Sequence, residues 1–208
     1  MTSLDSKLAE GLVALGLESV VTTDMQANCL VYMALLQKWN KVYNLTAIRD
    51  PQEMLALHIL DSLSVLPYVE SGNLLDVGSG GGLPGLIIAI TRPDVQVTTI
   101  DTVQKKAIFM RQVKAELGLE NVQVVHSRVE AYQPPSPFGQ VISRAFSDIA
   151  LLRRLTMHLM MPHGRWLAMK GVIPIEELQL ASIIPSKVIR LQVPTLQAER
   201  HLIVFENS

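Results

Sequence analysis

Cysteine occurs once in 208 residues, aromatic side chains make up 5%, and the formal net charge is only −1. The single Cys29 excludes an internal disulfide and any multi-cysteine metal centre, and it suits a reducing cytoplasm. No apolar run approaches the roughly 18 residues that a membrane-spanning helix needs. The stretch Met1-Thr2-Ser3-Leu4-Asp5-Ser6-Lys7 lacks a basic region followed by an apolar core, so no signal peptide is expected. Internal repeats and low-complexity segments are also lacking, which excludes a solenoid. What remains is a chain 49% hydrophobic, enough for one α/β domain of ordinary size with a helical appendage.

Against this background the run Leu74-Leu75-Asp76-Val77-Gly78-Ser79-Gly80-Gly81-Gly82-Leu83-Pro84-Gly85 stands out. An apolar strand enters a glycine turn, and Pro84 sits where a helix would begin, a place where backbone and unpaired N–H groups can approach a nucleotide-like ligand. Read from Gly80, the glycines formally satisfy the GxGxxG dinucleotide pattern; read from Gly78, they give GxGxG, with Asp76 two residues upstream. The second register fits the strand end better, since a dinucleotide turn should follow its strand almost at once. It places Asp76 where an acid orients the turn or meets a sulfonium amino acid, favouring S-adenosylmethionine over NAD. Asp101 directly follows the strand-like Val95-Gln96-Val97-Thr98-Thr99-Ile100. It either accepts from ribose hydroxyls or caps the helix beginning near Thr102.

Met25, Cys29, Met33, Leu36 and Tyr43 keep helical spacing, and Asp50-Pro51-Gln52-Glu53 opens another helix. The division expected is a helical extension over 1–70 packed on a domain of 71–208. Strands are expected at 73–77, 95–100, 122–125, 140–143, 164–170, 186–193 and 201–205, with helices near 84–91, 102–117, 147–160 and 174–183. Only Pro194-Thr195-Leu196-Gln197-Ala198-Glu199 separates the last two strands, which forces them antiparallel. A mostly parallel seven-stranded, doubly wound sheet with one reversed strand is the arrangement of class I S-adenosylmethionine-dependent methyltransferases, and the NAD fold does not predict the terminal hairpin.

Charge is unevenly spread. Acids outnumber bases through residue 70, whereas Arg144, Arg153, Arg154, Arg165 and Lys170 face only Asp148 between 144 and 170. Lys105, Lys106, Arg111 and Lys114 form a second group. These read either as a surface for a polyanion or as solvated helix faces.

Six segments make the reading more specific: Lys38-Trp39-Asn40-Lys41-Val42-Tyr43-Asn44-Leu45-Thr46, His58-Ile59-Leu60-Asp61-Ser62, the glycine turn Asp76–Gly85, Ser127-Arg128-Val129-Glu130, Ser143-Arg144-Ala145-Phe146 and Glu199-Arg200-His201. In this order they resemble the bacterial RsmG family, also called GidB, from about residue 25 onward. The resemblance implies transfer of a methyl group from S-adenosylmethionine to N7 of a guanine in 16S ribosomal RNA. Gly81 stands where many relatives carry proline, which loosens the turn without removing a ligand contact. By the same resemblance Gly78 and Leu83, with Asp76, Gly80, Gly82 and Asp101, belong to the cofactor site, and Val129 and Glu130 meet the adenine ring; alone, Glu130 reads as a solvated loop acid.

Arg144 is a donor at the end of the fourth strand, where amine methyltransferases often carry an acceptor. Guanine N7 has an in-plane lone pair and no proton to lose, so no general acid or base is expected and alignment carries the rate. Arg144 is placed with the cofactor residues, on the methionine carboxylate, although guanine O6 or a phosphate would serve it equally. Phe146 either stacks on a flipped base or fills the core. Arg128, Lys170, Arg200 and His201 are expected to grip RNA phosphates. Asn44 and Thr46 are read as joining the N-terminal helices, and His58 and Asp61 as contacts between extension and sheet, without further ligands for a metal. The near-neutral charge suggests 16S RNA presented in a small ribosomal subunit or assembly intermediate, with no membrane. Two rivals share parts of the pattern: a small-molecule or protein methyltransferase, and a noncatalytic nucleotide or NAD module.

Overall fold

Seven strands form one sheet: β1 (Gly72–Val77), β2 (Val95–Asp101), β3 (Val122–His126), β4 (Phe138–Arg144), β5 (Met160–Lys170), β6 (Lys187–Arg190) and β7 (His201–Glu206). The computed structural model describes residues 3–144 and 146–206. Ala145 of the fourth-strand segment, and Met1 and Thr2 of the N-terminal stretch, lie outside the described residues.

The strands lie in the order β3-β2-β1-β4-β5-β7-β6, parallel through β5, with β7 antiparallel to both β5 and β6. The terminal hairpin expected from the short link is present, and its second strand lies inside the sheet with β6 at the edge. Strand order reverses between β1 and β4, which opens a crevice at their carboxyl ends.

Side chains alternate across the sheet and bury both faces. Leu74, Leu167, Met169, Leu202 and Val204 belong to one core; Leu75, Trp166, Ala168, Ile203 and Phe205 belong to the other. The first core is covered by α1 (Leu4–Leu15), α2 (Thr23–Tyr43), α5 (Gly85–Thr91) and α6 (Gln104–Leu117), the second by α7 (Ile149–Thr156) and α8 (Ile175–Leu180). Residues of the N-terminal helices and of the sheet thus share one core.

Local sequence explains the helix starts. Ser3, Thr22 and Asp50 each accept a backbone N–H of the following turn, and Pro51 takes the first position of α3 (Pro51–Met54). This helix continues through a π-helical stretch, Leu55–Leu60, into α4 (Asp61–Leu63). The expected helix over 147–160 stops at Thr156; a 3-10 turn spans Met157–Leu159, and β5 begins at Met160, opposite Phe138. The expected strand over 186–193 is confined to Lys187–Arg190.

Candidate ligand sites at the carboxyl ends of the strands

β1 ends at Val77 and Gly78 follows at once, so the register Gly78-Gly80-Gly82 is the one that sits on the strand end. Gly78, Gly80 and Gly82 have φ of 69°, 60° and 87°, a region that disfavours side chains. A Cβ on Gly82 would also collide with Leu86, whereas one on Gly78 would meet open space.

The turn directs its own N–H groups inward. Gly78 and Ser79 donate to the Ile100 carbonyl, Gly82 and Leu83 to the Ser79 carbonyl, and Gly80 to Asp101 Oδ2 at 2.9 Å. The first N–H of α5, on Gly85, donates to Asp76 Oδ2 at 2.9 Å. The N–H groups of Gly85, Leu86 and Ile88 at the helix start are therefore already taken, in place of the free donors expected from the sequence. Tyr32 of α2 reaches into the same turn, its hydroxyl donating to the Gly81 carbonyl at 2.7 Å.

Asp76 is fully buried, and of its two expected roles the structure shows the one that orients the turn. A Cβ on Gly85 would stand 2.6 Å from Asp76 Oδ2, so glycine leaves room for the acid. Burial pushes the carboxyl up to about 7, although the hydrogen bond from Gly85, the nearby Ser79 hydroxyl, which donates to the Asp76 main-chain carbonyl, and the charge of Arg144 act in the opposite direction. Its Oδ1 has no hydrogen-bond partner among the described residues.

Beside the turn lies a cavity of about 360 Å³, lined by Gly78, Asp101, Arg128, Val129, Glu130 and Phe146 among others. Asp101 Oδ1 accepts from Val103 N–H at 2.8 Å, and Oδ2 is 3.4 Å from Lys106 Nζ, so Asp101 braces turn and helix while bordering the cavity. Arg128 pairs with Glu130 at 2.8 Å and holds that carboxyl below its usual range. Gly80, Gly82 and Leu83 lie behind the cavity wall rather than on it.

A second cavity of about 380 Å³ lies where the N-terminal helices meet β4, β5 and β7. Leu57, His58, Asp61, Arg144, Lys170 and Arg200 line it, with Ile48 and Met169 as apolar wall. Arg144 thus faces this cavity rather than the one beside Gly78: its Nη1 donates to the Leu57 carbonyl at 2.8 Å and to Asp61 Oδ2 at 3.1 Å. Arg200 Nε donates to Asp61 Oδ1 at 3.2 Å. The Asp61 carboxylate, 2% exposed, therefore joins extension and sheet, as expected of it.

His58 bonds Thr46 within the extension, Nε2 lying 2.9 Å from Oγ1. Asn44 ends α2 with φ of 49° and accepts from Arg49, so Asn44 and Thr46 both serve the junction between helices. Lys170 Nζ donates to the Phe146 carbonyl at 3.1 Å and pairs with Glu177 at 3.0 Å. His201 is buried, with Nδ1 2.7 Å from the Gly171 carbonyl. Phe146 forms part of the first cavity wall and packs on the second core.

The basic residues of 144–170 do not form one face. Arg165 pairs with Glu70 and donates to the Tyr68 carbonyl, beside Gln140 near the start of β4. A strand advances about 3.3 Å per residue, so Arg165 and Lys170 lie far apart along β5. Lys114 likewise donates to the Val122 carbonyl near the end of α6. Leu57, Met169 and Gly171 of the second cavity carry no sequence signal; the spacing of His58 and Asp61 was the available clue.

A family model described as GidB, rRNA small subunit methyltransferase G, matches residues 25–203. A ribosomal RNA small subunit methyltransferase G from Methylobacillus flagellatus is 59% identical, over 96% of this chain and 97% of its own length. One from Chromobacterium violaceum is 51% identical, over 98% of each chain. Among solved structures, the apo form of the S-adenosylmethionine-dependent methyltransferase SibL superposes with a TM-score of 0.59 at 16% identity, covering 95% of this chain and 76% of that one. The last likeness shows the shared α/β fold.

Proposed function

The chain belongs to the GidB family of rRNA small subunit methyltransferases G, and on that footing we propose that it transfers a methyl group from S-adenosylmethionine to N7 of a guanine in 16S ribosomal RNA. The observation that carries this reading is the family match over residues 25–203, which takes in the residues of both cavities.

The first cavity fits the adenosine end of the cofactor. Its volume of about 360 Å³ is in the range of small-ligand sites, Gly78 leaves open space beside it, and acceptors stand along it at Asp101 and Glu130. Asp101 takes the ribose hydroxyls, Val129 and Glu130 the adenine edge, and Gly78 the turn side. Asp76, Gly80, Gly82 and Leu83 act from behind by shaping that turn. When bound, S-adenosylmethionine supplies an electrophilic methyl carbon on its sulfonium.

No residue is needed to remove a proton from guanine N7, and the second cavity is built accordingly. Its one carboxylate, on Asp61, is already engaged by Arg144 and Arg200. Of the partners open to Arg144, its place on the second cavity favours guanine O6 or a phosphate over the methionine carboxylate. Lys170 and Arg200 form the RNA-facing rim of that cavity, and Arg128 meets RNA phosphate from the exposed edge of the first cavity. Buried His201 acts behind the rim by holding the Gly171 carbonyl, with residues 1–70 as a helical extension and 71–208 as the methyltransferase domain. The substrate form proposed is a small ribosomal subunit or assembly intermediate in the bacterial cytoplasm.

The test offers labelled S-adenosylmethionine with small subunits, or with naked 16S RNA, from cells lacking this protein, and maps the modified base. Label at one guanine N7 is expected, with subunits preferred. Cofactor binding without transfer to either RNA form would overturn the proposal in favour of a small-molecule or protein acceptor.

A further inference from the structure

The polar lining of the second cavity is unbalanced. Both Asp61 oxygens accept from guanidinium groups, the Leu57 carbonyl accepts from Arg144, and the Gly171 carbonyl faces His201. Donors are left over. Arg144 makes these bonds through Nη1, and His58 Nδ1, close to the Leu57 backbone, is buried without a hydrogen-bond partner among the described residues. Thr46 Oγ1 accepts from Ile48 N–H and lies 2.9 Å from His58 Nε2. We assign the ring hydrogen to Nδ1, the tautomer in which the Thr46 hydroxyl donates to Nε2 and its proton is used.

The π-helical stretch Leu55–Leu60 contributes Leu57 and His58 to the cavity and leads directly into Asp61. Such stretches recur at functional sites. Burial and the Arg144 charge push His58 down to about 4, so the ring is a neutral donor rather than a cation for phosphate. Ile48, Leu57 and Met169 supply apolar surface for the faces of a flat ring.

Guanine and adenine both present N7, so the nucleophile alone does not tell them apart. They differ beside it: guanine has the O6 acceptor, adenine an amine donor. Resting on the function proposed above, we infer that the second cavity receives the target base and selects guanine through O6, with His58 as a specificity-determining residue beside Arg144. An adenine amine would meet the Arg144 and His58 donors head-on, whereas O6 would accept from them.

His58→Phe keeps a ring and removes the donor. Three quantities are compared with the parent: affinity for S-adenosylhomocysteine, affinity for unmodified small subunits, and kcat for label transfer. The expected result is both affinities within about twofold and kcat down about tenfold or more, with partial loss of the preference for guanine over adenine at the target position. Subunits reconstituted with inosine or 2-aminopurine at the target test the unaltered protein: inosine, which keeps O6, should be methylated, and 2-aminopurine should not. Equal transfer to the two analogues would overturn the inference, as would parent-like kcat and guanine preference in His58→Phe, or a parallel loss of cofactor affinity. Absence of any transfer by the unaltered protein would instead mean that the proposed function has failed.

Discussion

Asp61 Oδ2 lies 3.1 Å from Arg144 Nη1, and this contact ties the helical extension to the end of β4. The same carboxylate takes Arg200 on its other oxygen, so one buried charge holds two guanidinium groups. Asp61→Asn removes that charge and turns an amide N–H₂ toward one of them. A loss of about 2–3 kcal/mol is expected, below the usual cost of breaking a buried pair because both arginines are partly exposed. Urea unfolding checks it; unchanged stability would mean that the two arginines hold their places without the acid.

The glycines separate folding from binding. Gly82→Ala combines an unfavourable φ with a collision against Leu86, so destabilisation of about 2–4 kcal/mol is expected. Gly78→Ala has the strained φ but open space, and should cost only about 1 kcal/mol while placing a methyl group beside the first cavity. Calorimetric titration of S-adenosylhomocysteine should show the larger relative loss of affinity in Gly78→Ala among folded molecules.

Asp101→Asn leaves one oxygen to accept from Gly80 or Val103 but cannot serve both and a ribose. About tenfold weaker S-adenosylhomocysteine binding, or about 1.4 kcal/mol, is expected. Parent-like affinity would restrict Asp101 to bracing the turn.

Two buried groups give opposing pH dependences. Folded Asp76 keeps its proton up to about 7, whereas an ordinary aspartate releases it near 3.8, so the folded state binds more protons between these values. Its contribution to stability is full below about pH 4 and is lost as pH rises to about 7. Folded His58 loses its proton near 4 against an ordinary 6.5, so its contribution rises over that interval. Asp76→Asn should therefore gain about 3 kcal/mol on its parent between pH 5 and pH 8, measured by urea unfolding at each. Parallel curves for the two proteins would rule out the raised Asp76 carboxyl.

The glycine turn, the alternation of strands and helices through β5 and the terminal hairpin were legible because each is encoded within short stretches of chain. Gly78 had to follow a strand, and six link residues could only reverse direction. The second cavity was not legible, because its lining comes from residues 48–61, 144, 169–171 and 200 and exists only after the extension packs on the sheet. The charge run over 144–170 misled for the opposite reason: neighbours in sequence such as Arg165 and Lys170 are separated by an extended strand. The pairing of the turn's N–H groups is not legible, because the carbonyls of Ile100 and Ser79 and the carboxylates of Asp76 and Asp101 reach them only in the folded turn.

β6 pairs with β7 alone, yet it precedes β7 in the chain by the whole 191–200 link. The edge strand Lys187–Arg190 is therefore held to the sheet only through His201–Glu206, which lies between it and β5. Arg200 immediately precedes that inner strand, so the register of β7 fixes both the sheet's edge and the second guanidinium on Asp61.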